Sequence, residues 1–180
     1  MNSETESSYT SFEWYQAGEF EDIQQGDVLS GCPVLVPSEG LTDALLTALT
    51  GKEVVAPYNL RLAELIIVSQ TCDLLKKDIT QVLLCAHFPA SGFSKDERSS
   101  IRKEYRPSYH MIEACDIDRH RCEQRVIDFR TVHTLPKDFV IAFVKQQPSR
   151  LRLMPPYREH MAQAFARYFM RVGLPRNLKQ

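Results

Sequence analysis

The chain has 180 residues, 43% hydrophobic and 25% charged, enough apolar material for one packed domain and a composition that excludes both a multi-domain assembly and global disorder. Lys and Arg total 22 against 23 Asp and Glu, so a net charge of −1 gives no overall polycation for coating nucleic acid or membrane. No window approaches the roughly 18 consecutive apolar residues of a membrane span, and residues 1–10 lack the basic and apolar regions of a signal peptide. The expected setting is cytoplasmic, and the five cysteines (Cys32, Cys72, Cys85, Cys115, Cys122), which have no framework spacing, are expected as free thiols.

Residues 1–27 carry seven acidic side chains and no Lys or Arg, whereas residues 150–180 carry seven basic ones against Glu159 alone. The neutral total therefore hides a charge dipole along the chain. Residues 1–24 read as an acidic N-terminal arm, and 25–180 as a single domain, mainly β (α+β). Gln25-Gly26-Asp27 is a turn signal opening a strand over Val28 to Val36, bent at Gly31 and Pro33. Apolar residues at 41, 45, 46 and 49 predict a short helix from Leu41 to Leu49. Val54 to Ala56 predicts a short edge strand stopped by Pro57.

The continuous apolar run from Glu64 to Ser69 predicts a central strand covered on both faces, and Asp78 to Phe88 predicts a second buried one. Ser91 to Tyr105, polar and without an apolar stripe, is either an exposed helix or an excursion. Arg106 to Ile112 and Glu123 to Phe129 pair as a hairpin around the polar turn Asp116 to Cys122. Phe139 to Val144 is open between strand and short helix. The last element spans 156–172: proline precedes it, Gly173 and Pro175 stop it, and Met161, Ala164, Phe165, Tyr168, Phe169 and Val172 form one stripe for docking on the β core.

Three groups of residues could carry chemistry. Ser69-Gln70-Thr71-Cys72-Asp73 follows a buried strand at once and holds hydroxyl, amide, thiol and carboxylate groups; it is either a turn in which Asp73 caps the next segment or a site with Cys72 as nucleophile. His87 on the next strand is the nearest imidazole by topology. Arg150, Arg152, Arg158, Arg167 and Arg171 suit phosphate recognition, with Tyr157 and Tyr168 as stacking partners; solvated arginines near a helix C-terminus are the plainer alternative. Asp128 and Arg130 lie two apart on a strand, as a structural ion pair does, with His133 near its end. Cys85-Ala86-His87 and His120-Arg121-Cys122 offer soft ligands, but no Cys-x2-Cys pair exists, so neither a metal nor a cofactor is expected.

Gly26-Asp27-Val28-Leu29 opening a strand, a run ending Ile67-Val68-Ser69, and then Val82-Leu83-Leu84 together resemble the MazF and PemK toxin family over residues 25 to 90. The resemblance implies an SH3-like barrel, here with the long C-terminal helix packed on it, and mRNA endoribonuclease activity paired with an antitoxin. It places Arg61 where an arginine precedes the second strand, and Ser69 or Thr71 as the assisting hydroxyl; Cys72-Asp73 lies outside the toxin pattern. Cleavage would proceed by 2′-hydroxyl attack, with Arg61 on the phosphorane charge and His87 or His133 moving protons.

The expectation is a small nucleic-acid-interacting protein in a toxin–antitoxin or phage-defence setting, with RNA or DNA, an antitoxin-like or defence protein, or a second copy of the chain as partners and no membrane. Two other readings stay open: a non-enzymatic protein–protein interaction module, and a thiol-dependent enzyme using Cys72.

Overall fold

A computed structural model describes residues 13–147 and 149–170. The elements run β1 (Tyr15–Gly18), β2 (Val28–Pro37), α1 (Leu41–Ala48), β3 (Tyr58–Ile67), the single turn α2 (Thr71–Leu74), β4 (Gln81–Pro89), α3 (Lys95–Arg102), β5 (Tyr109–Ile112), β6 (Arg125–Pro136), α4 (Lys137–Lys145), β7 (Arg150–Leu153) and α5 (Tyr157–Phe169). The fold is mixed α+β and strand-rich. An antiparallel five-stranded sheet has the order β2-β3-β4-β6-β5, and β1 pairs with β7 in a separate ribbon. Both sheets are open, so the expected barrel closure is not found among the described residues. The ribbon joins the start of β2 through the backbone bridge between Asp27 and Arg152, and four-residue β5 ends the large sheet.

Leu65-Ile66-Ile67 shows why both faces of β3 are apolar. Alternate side chains of a strand point to opposite faces. Ile66 joins Cys85, Phe129, Tyr15, Leu153 and Met161 in one core, under the ribbon and α5. Leu65 and Ile67 join Leu84, Leu74, Val140 and Val144 in a second core, under α4. Each face of the sheet thus buries its own set of side chains. The strand is one place off the middle, which β4 occupies.

β2 bends as expected, with its register against β3 shifting between Leu29 and Cys32 and Gly31 at a positive φ of 62°. Other expectations change. Residues 54–56 are loop rather than strand, because Val55 meets no neighbouring strand and is 93% exposed. Phe139 to Val144 is helical: Val140 and Val144, four apart, both face the second core. The polar stretch after Ser91 forms α3, started by a reciprocal capping box in which Glu97 N–H donates to Ser94 Oγ (3.2 Å) and Ser94 N–H to Glu97 Oε2 (3.0 Å).

The described part of the expected acidic arm, residues 13–24, packs on the rest of the domain. Residues 15–18 form β1, and Trp14 stacks on Tyr157 with ring centroids 3.6 Å apart. On α5, Met161 and Ala164 are buried, Phe165 and Tyr168 pack against Phe129, and Phe169 is exposed. Residues 1–12 and 171–180 lie outside the described residues, and with them Arg171, Val172 and the expected Gly173 and Pro175 stop.

Candidate functional site

The Gly26-Asp27 turn is clamped from two sides. Gly26 N–H donates to the Ile67 carbonyl (2.9 Å), and Leu153 N–H donates to the Gly26 carbonyl (2.9 Å). Gly26 sits at φ 88°, where a Cβ would come within 3.0 Å of Leu153 Cβ, so glycine is required. Asp27 is fully buried and accepts from Arg150 Nε (3.1 Å), Arg152 Nε (2.5 Å) and Arg152 Nη2 (3.1 Å). Arg150 also donates to the Phe20 and Asp22 carbonyls, and Arg152 donates to the Asp22 carboxylate (3.0 Å). Burial by itself would lower the Arg152 guanidinium, but its bonds to Asp27 and Asp22 hold it above its ordinary value.

That cluster corrects the expected basic surface. Arg150 and Arg152 are buried and neutralised inside the protein, because the alternation that puts both on one face of β7 aims them at Asp27. Arg158 pairs with Glu159 (2.8 Å), and Arg167 pairs with Glu104 across a more exposed gap of 3.2 Å. The four described arginines of that set therefore form no shared cationic face.

The Ser69–Asp73 turn borders a cleft of about 650 Å³, walled on the opposite side by Phe165 and its α5 neighbours. Its hydroxyls have structural employment. Ser69 Oγ accepts from Leu83 N–H (2.8 Å), and Thr71 Oγ1 accepts from Gln25 N–H (3.2 Å), so they lace β3 to β4 and to the Gly26 turn. Asp73 is the third residue of α2 and bonds Lys76 Nζ at 2.6 Å rather than capping the helix; Gln70 holds the N-cap place. Cys72 is exposed, and its thiol donates to Gln70 Oε1 at 3.6 Å.

His87 does not join this turn. Leu83 is the β4 residue beside Ser69, and His87 lies four residues further, about 13 Å at the usual strand rise. Arg61 is eight residues before Ser69, about 26 Å along an extended chain, on an exposed part of β3 opposite Val34. The six residues expected to act together are thus split into three places: the turn, the far half of β3, and His87.

At His87 a second cleft, of about 460 Å³, opens between the sheet and the loop that precedes β6. Continuing the Leu65–Ala86 register by one residue sets Glu64 across from His87. Glu64 Oε1 accepts from Gly31 N–H (2.9 Å), so the bend in β2 fixes the carboxylate. His87 is buried, and its Nδ1 accepts from Arg125 Nε at 2.5 Å. Burial first, and then the Arg125 charge, push this imidazole down to about 3, while the Leu65 carbonyl pulls weakly the other way. It is neutral with its proton on Nε2, which is buried without a well-formed hydrogen bond.

Loop residues complete the rim. Cys115 and Cys122 exchange two backbone hydrogen bonds of 2.9 Å, closing a six-residue loop with Arg119 at φ 66°. His120 Nε2 lies 2.9 Å from Ser149 Oγ, pinning that loop to the approach to β7. Arg121 pairs loosely with Asp116 (3.3 Å), both highly exposed. Among the described residues, Arg119 and Arg125 have no ion-pair partner. Four arginines (Arg119, Arg121, Arg125 and the Asp27-bound Arg150) and one carboxylate, Glu64, thus line the cleft.

Of the expected residues, His87 and Arg150 line this cleft, together with His120 and Cys122 of the soft-ligand set. Glu64, Arg119 and Arg125 were missed because Glu64 reads as the polar end of an apolar strand and 116–122 as an ordinary polar turn, with His120 weighed only as a metal ligand; the Arg119-His120-Arg121 triplet was the available signal. Asp128 and Arg130 do form the expected same-strand pair (2.8 Å), and His133 is half-buried, with burial lowering it. No group of three or more His, Cys, Asp or Glu able to hold a metal occurs among the described residues, and no described helix is long and apolar enough to cross a membrane. Compared with known protein families and with curated proteins, the chain matches none.

Proposed function

We propose that this protein binds nucleic acid, RNA in the first place, in the cleft between β3, β4 and the 116–121 loop. The observation that carries the reading is that Arg119 and Arg125 reach this cleft with no ion-pair partner among the described residues, while Arg150, which also lines it, and Arg152 are held by Asp27. A guanidinium fork without an ion-pair partner suits phosphate oxygens, and Arg125 keeps N–H groups beyond the Nε that donates to His87. Glu64, held by the Gly31 amide, supplies an acceptor beside these cations, suited to a ribose 2′-hydroxyl, the group that distinguishes RNA from DNA.

The MazF/PemK-like reading, with its SH3-like barrel and its toxin–antitoxin or phage-defence setting, belongs to this proposal and draws on the antiparallel succession β2-β3-β4 across the residues that carry the resemblance. The cleavage machinery it brings is altered. Ser69 and Thr71 accept backbone hydrogen bonds and Arg61 is distant from them, so any 2′-hydroxyl attack falls to Glu64 as the proton acceptor and Arg125 as the group facing the phosphorane charge.

The test is fluorescence anisotropy with a labelled single-stranded RNA of about 15 nucleotides, in about 50 and 200 mM salt. The wild type is expected to bind, more weakly at high salt. Replacing both Arg119 and Arg125 by Ala is expected to weaken binding at least about tenfold and to reduce the salt slope by one to two. No binding at low salt, or a variant equal to the wild type, rejects the proposal. Gel analysis of the same RNA after incubation, with Glu64→Gln alongside, decides whether binding includes cleavage.

A further inference from the structure

The far half of the β2–β3 hairpin leaves the body of the protein. β3 pairs with β4 only through Leu65, Ile66 and Ile67, so from Tyr58 to Glu64 it has β2 alone as a neighbour. The register places Pro33 opposite Leu62, Leu35 opposite Leu60, and Pro37 opposite Tyr58. Directly opposed residues share a face, so these six form one side of the arm.

The two sides of this arm are treated differently. The other side carries Cys32 and Val34, both buried in the second core with Val36 and Ala63 packed against it. The six-residue side has no cover among the described residues: Leu35 is 62% exposed, Leu60 68% and Leu62 72%, with Tyr58 nearly half exposed. Along β3 this side continues into Glu64 and then Ile66, so it is the face that the β1–β7 ribbon and α5 cover further on. Cover stops at Glu64, and the apolar pattern does not.

The geometry points to this bare face as the interface of a symmetric homodimer, in which the arms of two copies of the chain pack face to face. Two observations select a second copy over a different protein. The face holds no charged residue, so it has no feature with which to steer or select a hetero-partner, and it is complementary to itself. A two-fold axis through the Leu35–Leu60 pair lays Tyr58 and Pro37 over the second copy's Leu62 and Pro33, apolar on apolar throughout, as an isologous contact requires.

The area is also sufficient. At roughly 100 Å² for each large apolar side chain, the four on the arm, with Pro33 and Pro37 beside them, approach the roughly 600 Å² per partner at the lower end of specific interfaces. A lone chain would leave all of it in water, at the upper end of the apolar patch of about 300–600 Å² found on monomers and often functional there. Because Glu64 follows Leu62 on the same face, the axis would set a cleft of each copy at either end of the paired arms. The inference stands apart from RNA binding, since it uses none of the cleft's charged groups.

Sedimentation equilibrium of the full chain from about 1 to 200 μM tests it. The expected mass at the upper end is twice the 20.7 kDa of the chain. Leu60→Asp, at a position already in water within one copy, is expected to keep the wild-type melting temperature of the monomeric species and to weaken dimerisation at least a hundredfold. In a Cys72→Ser background, Leu60→Cys is expected to give a reducible covalent dimer on mild oxidation, because the axis brings the two Leu60 positions together. A wild type that stays monomeric throughout, a dimer unaffected by Leu60→Asp, or an assembly larger than two would each overturn the proposal.

Discussion

Arg150 and Arg152 sit on one short strand and share a carboxylate that no water reaches, whereas Arg119 and Arg125, in the cleft that Arg150 also lines, have no ion-pair partner among the described residues. Residue type is the same in both places, so what separates a structural arginine from a binding one here is the position of acid in the fold. Asp27, more than 120 residues earlier in the chain, arrives beneath β7 because the Gly26 turn is pinned between β3 and Leu153. Among the described residues no carboxylate comes within ion-pair distance of Arg119. A count of basic residues near the C-terminus located charge correctly and its availability wrongly.

The comparison breaks most visibly if Asp27 is removed. Asp27→Ala leaves two buried guanidinium groups without their shared counter-charge and is expected to destabilise the fold by about 3–5 kcal/mol in urea unfolding. A loss under about 1 kcal/mol would mean that the backbone carbonyls of residues 20 and 22 suffice for both arginines.

Acid should act on the cleft side through His87. An unfolded histidine takes up a proton near pH 6.5, but the folded His87 resists until about 3, chiefly because of burial. Between those values the unfolded chain binds more protons, so stability is flat above about pH 6.5 and falls as pH drops below it. His87 alone should remove on the order of 2–3 kcal/mol by about pH 4.5. Unfolding free energies measured across that range, with His87→Gln showing a shallower slope, check the direction.

Binding separates the two arginine sets next. Arg125→Ala should weaken the low-salt RNA complex about tenfold, near 1.4 kcal/mol, while Arg158→Ala, whose guanidinium already serves Glu159, should leave it within about twofold. Comparable losses in both would erase the distinction. The smallest effect is expected from Arg167→Ala: its exposed pair with Glu104 is worth under about 0.5 kcal/mol, a shift at the limit of a thermal melt.

Local pattern carried much of the fold. The bent strand at Gly31, the helix at Leu41, the hairpin around residues 116–122 and the stripe on α5 follow from turn chemistry and periodicity within a few residues of themselves. β1 was illegible because Tyr-Gln-Ala-Gly is short and lacks clear alternation; it becomes a strand only because β7 offers a partner. α4 was ambiguous because six mostly apolar residues fit either period, and burial of Val140 and Val144 on one core decided it. The Ser69–Asp73 turn stood out for its chemistry, yet two of its polar groups are spent on backbone amides, an assignment that requires knowing which strands adjoin it.

By itself the sequence determined the composition of each element, the one-domain scale and the separation of acid toward one end from base toward the other. Those properties depend on neighbours along the chain, where spacing converts directly into a helix face or a strand side. Tertiary structure alone decided which charges cancel, which face of the β2–β3 arm goes uncovered and which residues border a cleft. Each of these is a relation between segments far apart in sequence, and in a folded protein the energy of a charge or an apolar face is set by what is placed against it.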